Sequence, residues 1–273
     1  MAEHPTLGHS ARTQAMNRRA FLQLAGLGTG AVMLGGVHPA AAGQAPAQLR
    51  GTRLTFLQWV NFVPAHDAVL KKQIAAFEKQ SGIKVALETI NMNDIQARTT
   101  VAIESKAGPD IIQLVHNWPH LYEAGLEPVD ELAEELGRQG EGYHELAKAH
   151  SFVNGSWRAV PYSFVSPAAT YRTDWFKEVG YDKFPDTWQQ FREAGKKLKA
   201  KGHPIGQAFG HSLGDPPTFC YALLWAYGGK EVEADGKTVA LDSKETLEAV
   251  EFCVGFWKDA CDEGGLAWDD ANN

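Results

Sequence analysis

The alternation of strand and helix patterns after residue 53 constrains this fold more than any other feature. Residues 54–60 and 83–87 have strand patterns, and between them residues 70–77 place apolar side chains at helical spacing. A second helix ends at Gly108–Pro109, where a helix cannot continue, and residues 110–115 form a mostly apolar third strand. This order predicts an α/β fold, with a parallel sheet covered by helices.

A second set of elements follows a predicted hairpin. Asn154–Gly155 lies between apolar residues, and this pair is a strong signal for a tight β-turn. The chain then has an extended pattern up to Val165, and we place a domain boundary near Ser166–Pro167. Beyond it the patterns predict a strand near residues 169–172, a helix after Asp174, a helix opened by a Thr187–Gln190 capping box, and a strand near residues 205–209.

The last long helix has an apolar face. Its side chains recur at spacings of three and four, and the pattern stops at Gly264–Gly265. The face consists of Leu247, Val250, Val254, Trp257 and Cys261. We expect Leu247, Val250, Val254 and Trp257 to be exposed, because we expect the second α/β lobe, residues 166–273, to be incomplete at its C-terminal end.

The N-terminal residues have the pattern of an export signal. Arg18–Arg19 stands directly before an apolar stretch, residues 22–37, that is rich in small residues, and Ala40–Ala42 follows. The stretch is shorter than the ~20 strongly apolar residues of a membrane-spanning helix. We therefore predict a twin-arginine signal over residues 1–42, a mature protein that begins near Gly43 in the periplasm, and a first α/β lobe over residues 43–165.

Charge and cysteine content exclude several functions. The formal net charge is −7, and a negative surface repels the phosphates of nucleic acids. Of the three cysteines, Cys253 and Cys261 are eight positions apart on a predicted helix, too far to bridge each other, and Cys220 lies earlier in the chain. Neither a disulfide framework nor zinc-ligand spacing is present, so we expect no metal and no cofactor.

One segment allows an enzymatic alternative. Residues 210–214 (GHSLG) fit the nucleophile elbow of a serine hydrolase, with Ser212 as nucleophile. Against this, Asp215–Pro217 follows where a helix should begin, and all ten histidines precede Ser212, whereas that fold supplies its catalytic histidine later. The adjacent acids Glu134–Glu135 and Asp269–Asp270 are expected to be surface charge. An exported serine hydrolase is the alternative to a binding protein.

Polar side chains follow each strand of the predicted parallel sheet. In such sheets, ligands bind beyond the carboxyl ends of the strands, where the loops converge. Amides can donate and accept hydrogen bonds toward hydroxyls, and an indole offers a flat apolar face to a sugar ring, although each Trp is equally suited to a core position. The candidate ligand residues of these loops are Trp59, Asn61, Asn91, Asn93, Asp94 (also the predicted helix cap), His116, Asn117 and Trp118.

The chain resembles the family 1 extracellular solute-binding proteins of ABC transporters from about residue 54 to residue 265. The likeness is most specific at four segments: residues 108–112 (GPDII), 121–128 (LYEAGLEP), 160–162 (VPY) with 171–176 (YRTDWF), and 187–188 (TW). The resemblance implies two α/β lobes around a cleft, a hinge near residues 162–167, and a hinge motion that closes the lobes on the bound ligand.

The resemblance also implies partners and further site residues. The implied partner is a membrane permease. The implied protein is a monomer that binds a sugar or polyol without making or breaking covalent bonds. By position, Asn117 matches a ligand-binding carboxylate of a family member, and residues 215–217 match a stretch with an aromatic ligand contact, which Pro217 replaces here. Tyr162, His211 and Asp215 complete the candidate ligand set.

Overall fold

The chain divides into two compact units. The computed structural model describes residues 49–163 and 168–272. The first unit ends at Phe164 and the second begins at Val165. The predicted export signal lies outside the described residues.

The first unit is built on a three-stranded parallel sheet. Its strands are β1 (Arg53–Trp59), β2 (Lys84–Ile90) and β3 (Ile111–Ile112), in the spatial order β2-β1-β3. Trp59 is paired with Ile90, and Leu57 is paired with Ile112, so all three strands run in the same direction. The predicted parallel α/β architecture is confirmed, although β3 is shorter than the predicted strand over residues 110–115.

Two helices connect these strands, as the apolar spacing predicts. Helix α1 (Pro64–Ser81) ends at Gly82, whose φ of 73° is the left-handed conformation that glycine adopts without strain. Helix α2 (Met92–Ser105) has Asn91, and not Asp94, as its N-cap: the Asn91 side chain accepts a 2.9 Å hydrogen bond from the backbone N–H of Asn93. The predicted cap at Asp94 is wrong because Asn91 is the last extended residue. Asp94 instead lies in the first turn, where its charge suits the helix dipole.

The remainder of the first unit contains short helices and a hairpin. Strands β4 (Phe152–Val153) and β5 (Ser156–Trp157) pair antiparallel, with Asn154 at φ 50° and Gly155 at φ 84° between them. Two successive positive φ angles define the tight turn that an Asn–Gly pair favours, and the predicted hairpin is confirmed. The helices are α3 (Trp118–Leu121), α4 (Asp130–Gln139) and α5 (Glu145–Ser151).

The described part of the second unit is mainly helical. Its helices are α6 (Thr173–Glu178), α7 (Trp188–Ala200), α8 (Asp215–Ala226) and α9 (Lys244–Ala260). The strand predicted near residues 169–172 is absent from residues 168–172 as described. Its aromatic residue, Tyr171, instead packs edge-on against Phe176 at 5.0 Å. The strand predicted near residues 205–209 is reduced to one parallel bridge between Ile205 and Cys261.

Helix α9 contributes the core of the second unit. Phe252, Phe256 and Ala260 are buried on one face, and Phe256 stacks with Phe219 of α8. The predicted exposed face is confirmed at Leu247, Val250 and Val254. Trp257 instead packs against the core of this unit, which also contains the fully buried Cys261. Helix α9 ends at Ala260, earlier than predicted, because the backbone becomes extended at Cys261. Gly264–Gly265 lies inside a separate short 3₁₀ helix.

The N-cap of α7 follows the predicted capping box except for one hydrogen-bond donor. The backbone N–H of Gln190 donates to the Thr187 hydroxyl at 3.2 Å, while the Gln190 side chain accepts from the N–H of Asp186 instead of from Thr187 itself. None of the helices in the described ranges combines the length and the apolar character that a bilayer crossing requires.

Candidate functional site

The carboxyl ends of the three parallel strands open at one edge of the sheet. Just past β1, the N–H of Val60 donates to the carbonyl of Ile90, the last residue of β2, at 2.9 Å. Just past β3, the N–H of Gln113 donates to the carbonyl of Leu57 at 2.9 Å. The loops after the three strands therefore begin side by side, which is the arrangement that the predicted ligand residues require.

The loop after β1 is folded by its own asparagine. Asn61 accepts a 2.9 Å hydrogen bond from the N–H of Val63 through its side-chain oxygen, which forms a turn leading into α1. Trp59 and Asn61 are both half-buried. His66, in the first turns of α1, forms a 2.7 Å hydrogen bond with the hydroxyl of Tyr162 through its Nε2 atom.

Tyr162 therefore lies against the same end of α1 that the β1 loop enters. Its ring meets the His66 imidazole edge to face at 6.4 Å, and 66% of Tyr162 remains exposed. His66 is a neighbour of the candidate site that the sequence does not reveal, because the residue lies within an ordinary helical pattern. The signal for Tyr162 is its place in the family-like segment, residues 160–162.

The loop after β2 is the first turn of α2. The Asn91 side chain is engaged in capping the helix, whereas the side chains of Asn93 and Asp94 are exposed on the first turn. In this loop Asn91 therefore has a structural role, whereas Asn93 and Asp94 are exposed to solvent.

The loop after β3 contains a strained backbone position. His116 has a φ of 48°, an uncommon conformation for a residue with a Cβ atom. Such positions cluster at ligand and active sites, where the surrounding structure holds them. His116 and the following Asn117 are both exposed. Trp118 differs, because its indole is only 5% exposed and lies edge-on to Tyr122 at 6.4 Å. In this structure Trp118 is a packing residue, and its role as a stacking surface stays a prediction.

A small group of histidines lies beside this loop. Burial lowers the pKa of His150, and the positive charges that His116 and His120 acquire on protonation lower it further. His120 is held by a 2.7 Å hydrogen bond between its Nε2 atom and the carbonyl of Ala149. Within residues 49–163 and 168–272, no set of three or more His, Cys, Asp or Glu side chains is arranged to hold a metal ion.

A depression of about 360 Å³ lies elsewhere in the first unit, between α1 and β2. None of the predicted ligand residues lines it. Its walls are formed by Asp67, Lys71, Ile74, Val85, Leu87 and Thr89.

The candidate residues of the second unit lie at the start of α8, where a buried carboxylate organises the backbone. Asp270 accepts hydrogen bonds from the Ser212 hydroxyl at 2.6 Å, the N–H of Gly214 at 3.0 Å and the N–H of Asp215 at 2.7 Å. Asp270 is 9% exposed, so its assignment to surface charge is wrong. The N–H groups at the start of α8, where the helix itself supplies no acceptor, hold the Asp270 carboxylate in this buried position, while Asp269 stays exposed. His211 is exposed beside this cap, and Asp215 is half-buried.

Comparison with known protein families decides the class of this molecule. Residues 64–265 match the model of the bacterial extracellular solute-binding proteins. The chain belongs to this family.

Individual relatives of this solute-binding protein agree with the assignment. The sn-glycerol-3-phosphate-binding periplasmic protein UgpB of Brucella abortus (strain 2308) is 28% identical over 190 residues, which cover 64% of this chain and 41% of the relative. The solute-binding protein thus spans less than half the length of the curated relatives that it matches.

Solved structures share its fold. A sugar transporter from Arthrobacter chlorophenolicus A6 with bound laminaribiose aligns with a TM-score of 0.66 at 22% identity, over 81% of this chain and 57% of that chain. An ABC transporter solute-binding protein from Agrobacterium radiobacter K84 in complex with ribitol aligns with a TM-score of 0.59 at 21% identity, over 81% of this chain and 56% of that chain. The two-lobed binding-protein fold predicted from the sequence is confirmed by these likenesses.

The geometry around Ser212 agrees with membership of this non-enzymatic family. A serine nucleophile needs an adjacent general base, usually a histidine, and an exposed hydroxyl. Ser212 is 8% exposed, and its hydroxyl donates to the Asp270 carboxylate that caps α8. The serine in this solute-binding protein therefore has a structural partner in place of a catalytic one.

Proposed function

We propose that this protein is the solute-capturing component of an ABC importer and that it binds a small neutral sugar or polyol. The main support is the sheet register, which brings three loops with polar side chains to one edge of the first unit. Membership of the solute-binding family supports the same role. An ABC permease in the inner membrane is the corresponding partner, and we propose a monomeric binding protein.

The chemistry of these loops suits hydroxyl groups. The side chains of Asn61, Asn93 and Asn117 can each donate and accept hydrogen bonds, as a polyol demands. The half-buried indole of Trp59 can cover the C–H face of a sugar ring. Asp94, His116, Trp118 and Tyr162 in the first unit and His211 and Asp215 in the second complete the proposed contacts.

The charge of the loops favours a neutral solute over a phosphorylated one. Residues 59–63, 91–94 and 113–118 contain no Lys or Arg, whereas proteins commonly recognise phosphate through charge-assisted hydrogen bonds from these side chains. The similarity to UgpB makes sn-glycerol-3-phosphate the main alternative candidate ligand. The solved structures of similar fold have laminaribiose and ribitol bound, and both are neutral.

The proposed route to the periplasm is twin-arginine export. Its support is the sequence Arg18–Arg19 ahead of an apolar stretch of small residues. After removal of residues 1–42 the chain would meet its solute and its permease outside the cytoplasm.

The test is a ligand screen with three arms. The purified protein is titrated calorimetrically with a panel of neutral sugars and polyols and, separately, with sn-glycerol-3-phosphate. In the third arm it is incubated with chromogenic esters, and hydrolysis is followed by absorbance. We expect binding to a neutral panel member, no ester turnover, and about tenfold weaker binding after Asn117→Ala, since a lost hydrogen bond reduces affinity by roughly this factor. Gln139→Ala, on α4, is the matched control and should bind normally. Tight binding to sn-glycerol-3-phosphate alone would refute the neutral-solute proposal, and ester turnover that Ser212→Ala abolishes would refute the binding-protein proposal.

A further inference from the structure

Three polar side chains are joined in a row at the start of α1. The Nδ1 atom of His66 lies 3.3 Å from a carboxylate oxygen of Asp67, and its Nε2 atom lies 2.7 Å from the hydroxyl oxygen of Tyr162. The imidazole is therefore bonded on both sides. His66 and Asp67 are half-buried, whereas Tyr162 is largely exposed, so the row leads from the helix surface toward solvent.

The direction of each hydrogen bond follows from the chemistry of its two groups. A carboxylate only accepts hydrogen bonds, so the Nδ1 atom of His66 carries the hydrogen in the contact with Asp67. A neutral imidazole has a single N–H group, and a hydrogen on Nδ1 leaves Nε2 as an acceptor. The hydroxyl of Tyr162 is therefore the donor in its bond to His66.

Further contacts hold this arrangement against the loop after β1. The rings of Tyr162 and His66 meet edge to face, with their centroids 6.4 Å apart. The backbone N–H of His66 donates to the carbonyl of Val63 at 2.9 Å, and the N–H of Val63 donates to the side-chain oxygen of Asn61 at 2.9 Å. A continuous series of hydrogen bonds thus connects two candidate ligand residues, Asn61 and Tyr162.

These bonds give the two candidate ligand residues opposite roles. The one hydroxyl hydrogen of Tyr162 is directed to His66, so the Tyr162 oxygen faces a solute with a lone pair. The side-chain oxygen of Asn61 is engaged by Val63, which leaves the amide NH₂ group of Asn61 to donate. One residue therefore presents an acceptor and the other presents a donor.

We propose that Asp67 and His66 are positioning residues that make the Tyr162 oxygen a hydrogen-bond acceptor for the solute. The inference rests on the proposed function, because it takes Tyr162 as a ligand contact. It adds a requirement to that function: the solute group that meets Tyr162 must donate a hydrogen. A hydroxyl or an N–H group meets this requirement, whereas an ether oxygen only accepts and would leave two oxygens facing each other without a hydrogen.

The carboxylate of Asp67 sets the direction of the whole row. Asn has nearly the same shape, but its NH₂ group can donate to Nδ1 of His66. The ring hydrogen then moves to Nε2, and His66 donates to the Tyr162 oxygen. Asp67→Asn therefore weakens the directional constraint with little change in shape, and the Tyr162 hydroxyl can turn its hydrogen toward the solute.

The first test needs no solute. Long-range ¹H–¹⁵N spectra of protein with labelled histidine distinguish a ring nitrogen that carries hydrogen from one that does not. We expect hydrogen on Nδ1 and a bare Nε2 in His66 of the unaltered chain at pH 7. Asp67→Asn should increase the form with hydrogen on Nε2, whereas the control Glu104→Gln, at an exposed position of α2, should not.

Two variants assign the signals of His66 independently of each other. His66→Gln removes them, and Tyr162→Phe should shift the Nε2 signal because it removes the bonded hydroxyl. Three results would overturn the proposal: hydrogen on Nε2 alone in the unaltered chain, hydrogen on both ring nitrogens at pH 7, or an unchanged ring in Asp67→Asn.

The second test measures affinity for ribitol, a neutral polyol, by calorimetry. Asp67→Asn should bind ribitol about tenfold more weakly than the unaltered chain, because one hydrogen bond to the solute is lost. Its Tm should stay within about 2 °C, which separates a positioning role from a structural one. Equal affinity of the two proteins would overturn the proposal. An unaltered chain that binds neither ribitol nor any other neutral solute would contradict the proposed function, and the spectra would still decide the direction of the bonds.

Discussion

The hydroxyl of Ser212 donates a 2.6 Å hydrogen bond to the carboxylate of Asp270, 58 residues later in the chain. The same carboxylate accepts the N–H groups of Gly214 and Asp215 at the start of α8. The buried Asp270 carboxylate thus caps the N-terminus of α8 and also accepts the hydroxyl hydrogen bond of Ser212, the serine of the elbow-like segment, residues 210–214.

Replacing this acid should destabilise the protein strongly. Asp270→Ala leaves three donors without their acceptor, and we expect the free energy of unfolding to fall by about 3 kcal/mol. Asp269→Ala, at the exposed neighbouring position, should change it by less than about 1 kcal/mol. Chemical denaturation monitored by circular dichroism measures both, and equal losses in the two variants would contradict the capping role.

The ion pair between Arg192 and Asp259 should make stability depend on pH. Arg192 on α7 donates to one Asp259 oxygen on α9 at 3.0 and 2.6 Å, and these bonds lower the pKa of Asp259. A lowered carboxyl pKa contributes stability that is present above the unfolded value of about 3.9 and is lost as pH falls through the folded value.

We therefore expect Asp259→Asn to lower Tm at pH 7 and to have a smaller effect near pH 3. Asp182→Asn, an exposed aspartate of the same unit, is the control and should show no such convergence. Melting curves collected from pH 7 to pH 3 provide the measurement, and a Tm difference for Asp259→Asn that is constant over this range would count against the ion pair.

A side chain at Gly155, in the turn of the β4–β5 hairpin, should destabilise the protein through backbone strain alone. Gly155 has a φ of 84°, and a Cβ atom placed there would meet nothing within 4 Å. Gly155→Ala should therefore cost about 1 kcal/mol of unfolding free energy through backbone strain. Gly140→Ala, at a position with φ −96° and only ordinary contacts, should cost less. Urea titrations compare the two, and a tolerated Gly155→Ala would show that the turn adopts another conformation.

Tyr162 should affect solute binding more than stability. The side chain is largely exposed, and its hydroxyl bonds to His66 at the entrance of α1. Tyr162→Phe should leave Tm within about 2 °C of the parent, because exposed substitutions have small effects. Calorimetric affinity for the best ligand of the screen should fall several-fold, and unchanged affinity would remove Tyr162 from the proposed site.

Export should depend on the paired arginines. Replacing Arg18 and Arg19 by lysines should retain the protein in the cytoplasm, because the twin-arginine route recognises the guanidinium pair. Cell fractionation with immunoblotting shows the location. Export of the double-lysine variant at the parental level would exclude this route.

Local patterns predicted the elements whose determinants are local. The alternation at residues 83–87 and the Asn154–Gly155 pair each depend on neighbouring residues, and both elements are present. The strand predicted at residues 169–172 failed for the opposite reason: Tyr171 fits a strand pattern, but its aromatic partners, Phe176 and Phe184, attach it to the core without one.

The candidate site also has features that the sequence predicts and features that depend on the folded chain. The rule for parallel sheets predicted which loops begin together, because strand order and direction follow from the alternation of elements. The burial of Trp118, the contact of His66 with Tyr162 and the capping by Asp270 could not be predicted. Each depends on residues that only the folded chain brings together, and an asparagine or aspartate near a helix start does not reveal which residue will cap it.

The strand order β2-β1-β3 also has a consequence for how the chain acquires its structure during synthesis. The strand that leaves the ribosome first is the central one, and both of its neighbours are made later. Until residues 84–90 have emerged, β1 has no partner for its backbone groups, and one edge stays open until residues 111–112 follow. A nascent chain of this protein thus exposes an unpaired strand for roughly thirty residues of translation and one open edge for roughly twenty more, at the rates of about 5–20 residues per second typical of ribosomes. Chaperones that shield open strand edges would act on the first unit during that interval.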